Sequence, residues 1–161
     1  MILLGRAKLG IGFAFQQPVK FKGLTVRDMI ELSSGKKMPH CEICKFLSDV
    51  GLCAKDYVNR EVNNSLSGGE LKRIEIAMLA AKASTLTVFD EPEAGIDIWS
   101  FNSLIEVFKT MKKNKTSTVV VISHQEKILK LADEIIVVVD GKIADKGTSE
   151  KLIPEILCDS R

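Results

Sequence analysis

The sequence predicts an α/β domain built on parallel β-strands, and three observations predict it. Residues 86–89 and 118–122 are apolar runs rich in β-branched residues with no polar alternation, the pattern of parallel strands covered on both faces. Between them, residues 98–111 recur at helical spacing, so the order is a βαβ crossover. Ahead of them, residues 25–53 are helical in pattern and contain no strand-like stretch.

Each element follows from local chemistry. Residues 9–15 read as a strand that runs into the loop Gln16-Gln17-Pro18, where proline has no N–H to give a ladder. Helical spacing starts at Thr25, breaks at the turn Ser33-Ser34-Gly35, and resumes from about Cys41 to Val50, closed by Gly51. Residues 54–64 are polar and poorly periodic and read as a linker. Ser67-x-x-Glu70 is a capping box, and Leu71, Ile74, Met78 and Ala81 share one helical face, which predicts a helix from Ser67 to about Lys82. After the crossover, residues 135–139, the turn Asp140-Gly141-Lys142 and Ile143-Ala144 read as a terminal hairpin. The expected organisation is a single domain over residues 1–161. It has a strand and loop at 1–24, a helical part at 25–83 and a strand–helix–strand core with the hairpin at 84–161.

Composition excludes several function classes. A chain of 161 residues with 45% apolar and 27% charged content can bury a core and is not a disordered tail. Its net charge of +2 predicts no nucleic-acid partner. The cluster Lys112-Lys113-Asn114-Lys115 reads as cations at a helix C-terminus, where they oppose the dipole. No apolar run approaches the roughly 20 residues that span a bilayer, so no direct membrane insertion is expected. Met1-Ile2-Leu3-Leu4 lacks the flanks of a secretory signal, and four cysteines make no dense disulfide framework, so a cytoplasmic location is expected. Cys41-x-x-Cys44 has metal-like spacing, yet a tetrahedral site needs further ligands and only Cys53 and Cys158 remain as thiols. Helix packing is the ordinary reading.

Two places carry chemistry. Gly68 and Gly69 follow Ser67 at a helix start, where bare backbone N–H groups and the helix dipole favour a phosphate. Asp90 and Glu91 emerge from the C-terminal end of a buried strand, where open α/β sheets place their ligands, and paired carboxylates there suit Mg²⁺. Gln16 taken alone is a loop amide, His124 a histidine at a strand end, and Asp97 a cap for the helix that begins near Ile98.

Taken in order, Leu66-Ser67-Gly68-Gly69-Glu70 and Leu86-Thr87-Val88-Phe89-Asp90-Glu91 resemble the signature and Walker B motifs of ABC-type ATPases. The resemblance covers nearly the whole chain and implies the fold of the C-terminal two-thirds of such a domain. It implies that Asp90, with Gln16 of a Q-loop, helps hold Mg²⁺, that Glu91 polarises the attacking water, and that His124 contacts the γ-phosphate. Ser67, Gly68, Gly69 and Glu70 would contact ATP, and Asp97 would belong to a D-loop at the interface with a dimer partner. Phe13-Ala14-Phe15-Gln16-Gln17-Pro18-Val19, Lys72-Arg73 and Asp97-Ile98 are similar to the SufC-type ATPase of iron–sulfur cluster assembly, which implies a soluble Suf-type scaffold as partner. Pro92 follows the general transporter pattern instead, which keeps open the ATP-binding subunit of a membrane transporter. A non-hydrolytic module that lends its signature to a partner's ATP site is a third reading.

No G-x-x-x-x-G-K-[ST] run occurs in the sequence. The expectation is therefore a chain truncated before its P-loop and inactive by itself. Uncovered sheet edges also lead to an expectation of self-association.

Overall fold

The computed structural model describes residues 10–15, 21–113 and 117–159, which fall into two compact units, Met1–Ile122 and Ser123–Arg161. In the first, strands β1 (Ile11–Ala14), β2 (Leu86–Asp90) and β3 (Thr118–Ile122) form a parallel sheet in the order β1-β2-β3. The register pairs Ile11 with Leu86, Leu86 with Thr118 and Asp90 with Ile122. The α/β fold with a βαβ core is thereby established, and its crossover helix is α5 (Ile98–Lys113).

Four helices lie between β1 and β2: α1 (Val26–Ser34), α2 (His40–Asp49), α3 (Ala54–Tyr57) and α4 (Gly68–Lys82). Thr25 and Asp28 close a capping box on α1, and Gly35, at φ 71°, ends that helix in the left-handed conformation glycine adopts without penalty. Ile43 and Leu47 are the buried face of α2, while Cys41 is exposed and Cys44 half-buried. The packing of α2 therefore falls to its aliphatic residues. Ser33 Oγ donates to Met78 O (2.9 Å), joining α1 to α4.

The linker expected at 54–64 is more ordered than its polarity suggested. It opens with α3, buries Val58 and Val62, and is tied to the start of α1 by Val26 N–Arg60 O (3.0 Å) and Val62 N–Leu24 O (2.9 Å). Two isolated valines supply the anchors, and two residues are too few to show a period.

Coverage of the sheet also departs from expectation. β2, paired on both sides, keeps Thr87 and Phe89 buried, and Phe89 meets Phe108 of α5 edge-on at 5.1 Å between ring centroids. β3 instead alternates, leaving Val120 43% and Ile122 53% exposed. Among the described residues β3 has a ladder partner on one edge only.

The second unit holds α6 (Glu126–Leu129), the antiparallel hairpin β4 (Ile135–Val139) and β5 (Lys142–Gly147), and α7 (Ser149–Asp159). The turn is Asp140-Gly141, both at positive φ, as a two-residue hairpin loop requires. Ile135, Leu152 and Ile153 form its small core, extended by Leu129, Ala132, Val137 and Ile156. α7 had no counterpart among the expected elements, and Pro154 lies inside it.

Candidate functional site

The N-terminus of α4 is built as the capping box predicts. Ser67 Oγ accepts from Glu70 N (3.2 Å), and Glu70 Oε2 accepts from Ser67 N (2.6 Å). Leu71 N is taken by Ser67 O (3.0 Å), so the N–H groups of Gly68 and Gly69 are the ones at the helix start with no intrahelical acceptor. A Cβ on Gly68 would meet nothing within 4 Å, and Ser67 is exposed. The turn is therefore open to solvent at Ser67 and Gly68.

Glu70 is held from the segment read as a linker. Tyr57 donates its hydroxyl to Glu70 Oε1, Arg60 Nη1 lies 3.7 Å from the same oxygen, and the Arg60 guanidinium stacks 5.3 Å from the Tyr57 ring centroid. The Tyr57 bond, helped by the Ser67 N–H, lowers the Glu70 pKa, and the same bond raises that of Tyr57. Glu70 thus serves the cap and the α3 connection. Tyr57 and Arg60 were not singled out from the sequence; the only signal was the single tyrosine three residues before an arginine.

At the end of β2, Asp90 is half-buried and pairs with Ile122. Glu91 N donates to Ile122 O (3.0 Å), and Glu91 stands at φ 43°, a left-handed conformation that is uncommon for a residue with a Cβ. Strain of this kind concentrates at functional sites and costs of order 1–3 kcal/mol. A turn closed by Ala94 N–Glu91 O (3.1 Å) follows, with Pro92 buried.

Lys72 reaches this strand end from α4. Its side chain is 1% exposed, and Nζ donates to Phe15 O and to Asp90 O (3.3 Å), with Glu75 Oε2 at 3.9 Å. Burial lowers the Lys72 pKa and raises that of Glu75, whose other oxygen accepts from Phe15 N (3.3 Å). One helix thereby fixes both the end of β2 and the residue that precedes Gln16.

Asp97 caps α5: Oδ1 accepts from Trp99 N (3.1 Å) and Ser100 N (2.9 Å), and Oδ2 accepts from Ser100 Oγ (2.7 Å). These bonds, the Ser100 hydroxyl first, lower its pKa. The loop before it touches the α4 turn, because a Cβ on Gly69 would sit 2.7 Å from Gly95 O. The structure therefore brings Ser67, Gly68, Gly69, Glu70 and the 94–97 loop together.

Gln16 lies outside the described residues. His124 is exposed and opens the second unit two residues after β3, where Ser123 Oγ accepts from Gln125 N (3.0 Å). No group of three or more His, Cys, Asp or Glu that could hold a metal occurs among the described residues. Asp90 and Glu91 supply two carboxylates, which suits Mg²⁺, an ion bound by one or two carboxylates together with substrate phosphates. The open, glycine-lined N-terminus of α4 suits a phosphate. No helix is long and apolar enough to cross a membrane among the described residues.

Comparison with known proteins adds the following. Residues 4–94 match a protein-family model described as "ABC transporter". The chain is 33% identical over 153 residues to an uncharacterised ABC transporter ATP-binding protein of Methanocaldococcus jannaschii, with 91% of this chain and 61% of that protein covered. It is 40% identical over 117 residues to the energy-coupling factor transporter ATP-binding protein EcfA2 of Mycoplasmoides gallisepticum, covering 65% of this chain and 36% of that one. The chain thus spans less than two thirds of these relatives' lengths. Among solved structures, a bacterial Atm1-family ABC exporter with ATP bound superposes with a TM-score of 0.78 at 19% identity, over 95% of this chain and 28% of the exporter chain.

Proposed function

The chain belongs to the ABC transporter family, and from that membership we propose that it is the signature-bearing part of an ATP-hydrolysing subunit that drives a membrane-embedded transporter from the cytoplasmic side. The observation that carries this reading is the α4 N-terminus: an open helix start with two glycines, a capping serine, and the Asp97 loop in van der Waals contact with Gly69. Ser67 and the N–H groups of Gly68 and Gly69 bind the terminal phosphate of an ATP seated on a dimer partner's P-loop. Asp90, with Gln16, takes part in holding Mg²⁺ when the chain's own site is filled. Glu91, at the strand end, orients and deprotonates the attacking water, and His124 contacts the γ-phosphate. Mg²⁺ supplies charge neutralisation on the phosphates when bound.

The names of the relatives favour a transporter over iron–sulfur assembly. The second reading, a subunit acting on a soluble scaffold, rests on the sequence resemblance of residues 13–19, Lys72-Arg73 and Asp97-Ile98.

The test is nucleotide-dependent pairing. Size-exclusion chromatography of this chain mixed with a P-loop-bearing ABC subunit is expected to show a heterodimer with MgATP and none without nucleotide. Ser67→Arg should abolish it by filling the phosphate position. Pairing that ignores both nucleotide and the Ser67 change would sink the reading.

A further inference from the structure

Arg73 makes contacts that neither capping nor sheet packing requires. Its Nε donates to Gly69 O (3.3 Å) in the first turn of its own helix. Its Nη1 donates to Gly51 O (3.1 Å), just past the end of α2, and to Ser100 Oγ (2.8 Å) in the first turn of α5. Ser100, buried, passes the interaction on by donating that hydroxyl to Asp97 Oδ2 (2.7 Å). One guanidinium therefore joins three segments distant in sequence: the end of α2, the phosphate-facing turn of α4, and the cap of α5.

The geometry at the two glycines explains why such a joint is needed. Gly69 and Gly95 meet backbone to backbone, a contact with no side chain to hold it. At Gly51, a Cβ would lie 3.2 Å from Ser103 Oγ of α5, so the end of α2 also abuts α5 without a side chain of its own. Backbone meets backbone at Gly69 and backbone meets the Ser103 side chain at Gly51, and the fork of donors on Arg73 supplies directional bonds to Gly51, Gly69 and Ser100 that fix their register. A lysine has the charge but not the planar fork.

We propose that Arg73 is the positioning residue that locks the phosphate-facing turn at Ser67–Gly69 to the Asp97 loop, so that α2 and both recognition segments move as one body. Displacement of α2 is then transmitted to the Asp97 loop through this side chain. The functional half of the proposal rests on the reading of Ser67–Gly69 as a phosphate site; the mechanical half does not.

The experiment measures amide hydrogen exchange at Trp99 and Ser100, whose N–H groups both donate to Asp97 Oδ1, in the 161-residue chain. Arg73→Met is expected to speed their exchange about tenfold or more, Arg73→Lys to give an intermediate value, and amides of the β4–β5 hairpin to stay unchanged. Ser100→Ala, which removes the hydroxyl relay and leaves the bonds to Gly51 and Gly69, is expected to loosen the same amides without disturbing Gly51. Arg73→Lys, which keeps the charge and loses the fork, keeps the test decisive if Arg73→Met fails to fold. In the pairing assay, Arg73→Met is expected to weaken MgATP-dependent heterodimer formation about tenfold. Unchanged exchange at Trp99 and Ser100 in the Arg73 variants overturns the mechanical half of the proposal, and loosened exchange with full pairing overturns the functional half. If the unaltered chain does not pair at all, the phosphate reading fails, and the exchange data still decide whether Arg73 locks the loop.

Discussion

Replacing Gly69 with alanine tests the contact between the α4 turn and the Asp97 loop directly. The added Cβ would lie 2.7 Å from Gly95 O and 3.7 Å from Gly95 C, and real Cβ contacts essentially never fall under 3.0 Å. Both partners are backbone, so either the helix start or the loop must retreat. Overpacking of this kind costs about 1–3 kcal/mol. Alanine's helix preference over glycine, about 1 kcal/mol in a helix interior, acts in the opposite direction. Gly68→Ala gains the same preference but meets nothing within 4 Å, so the difference between the two variants isolates the steric cost. At roughly 2–4 °C per kcal/mol for a chain of this size, Gly69→Ala should melt several degrees below Gly68→Ala. Thermal and urea unfolding followed by circular dichroism measure it. Equal midpoints for the two variants would refute the close approach, and with it the idea that this loop and this turn are presented together.

Three further outcomes are expected. In an ATPase-competent assembly that contains this chain's Glu91, Glu91→Gln should lower turnover about 10²- to 10⁴-fold with MgATP binding retained, which steady-state hydrolysis and a nucleotide titration distinguish. Tested alone, the 161-residue chain should bind MgATP no tighter than about millimolar, against the roughly −8 kcal/mol of a micromolar site. Isothermal titration reads this, and micromolar affinity would contradict it. Glu70, whose pKa is lowered by Tyr57 and the Ser67 N–H, adds stability above the ordinary glutamate pKa of 4.5 and loses it as pH falls through the lower folded value. The gap in melting temperature between the unaltered chain and Glu70→Gln should be full at pH 7, then shrink below pH 4.5.

Legibility in the sequence followed how local the determining physics is. The start of α4 depends on Ser67 and Glu70 three residues apart, and the hairpin on Asp140-Gly141; both are written in adjacent residues and both are found where expected. The segment 54–64 depends instead on Val58 and Val62 finding distant partners, which no local pattern reports. α7 carries Pro154, which counts against a helix, yet Leu152 and Ile153 hold it on the hairpin. At the site, Ser67, Gly69 and Asp97 were legible as residue types that helix starts demand. Tyr57, Arg60 and the connecting roles of Lys72 and Arg73 were not, because long polar side chains act at a range that spacing does not encode. A lysine 1% exposed also reverses the usual rule that lysines stay in water.

Lys72 and Arg73 are adjacent on α4, yet their head groups serve opposite directions. Lys72 turns inward to the carbonyls at the ends of β1 and β2, and Arg73 turns to α2 and α5. Consecutive helix positions are about 100° apart, so neither cation can take over the other's contacts. From this geometry, one turn after Gly69, α4 is attached to the strand carrying Asp90 and Glu91 through one residue and to the Asp97 loop through the next. The turn at its N-terminus is thus fixed relative to both by side chains of a single helix. Since Gly68 and Gly69 have no side chains with which to hold that turn, its position depends on their neighbours: Glu70, bonded to Tyr57 and Ser67, and the two cations that follow.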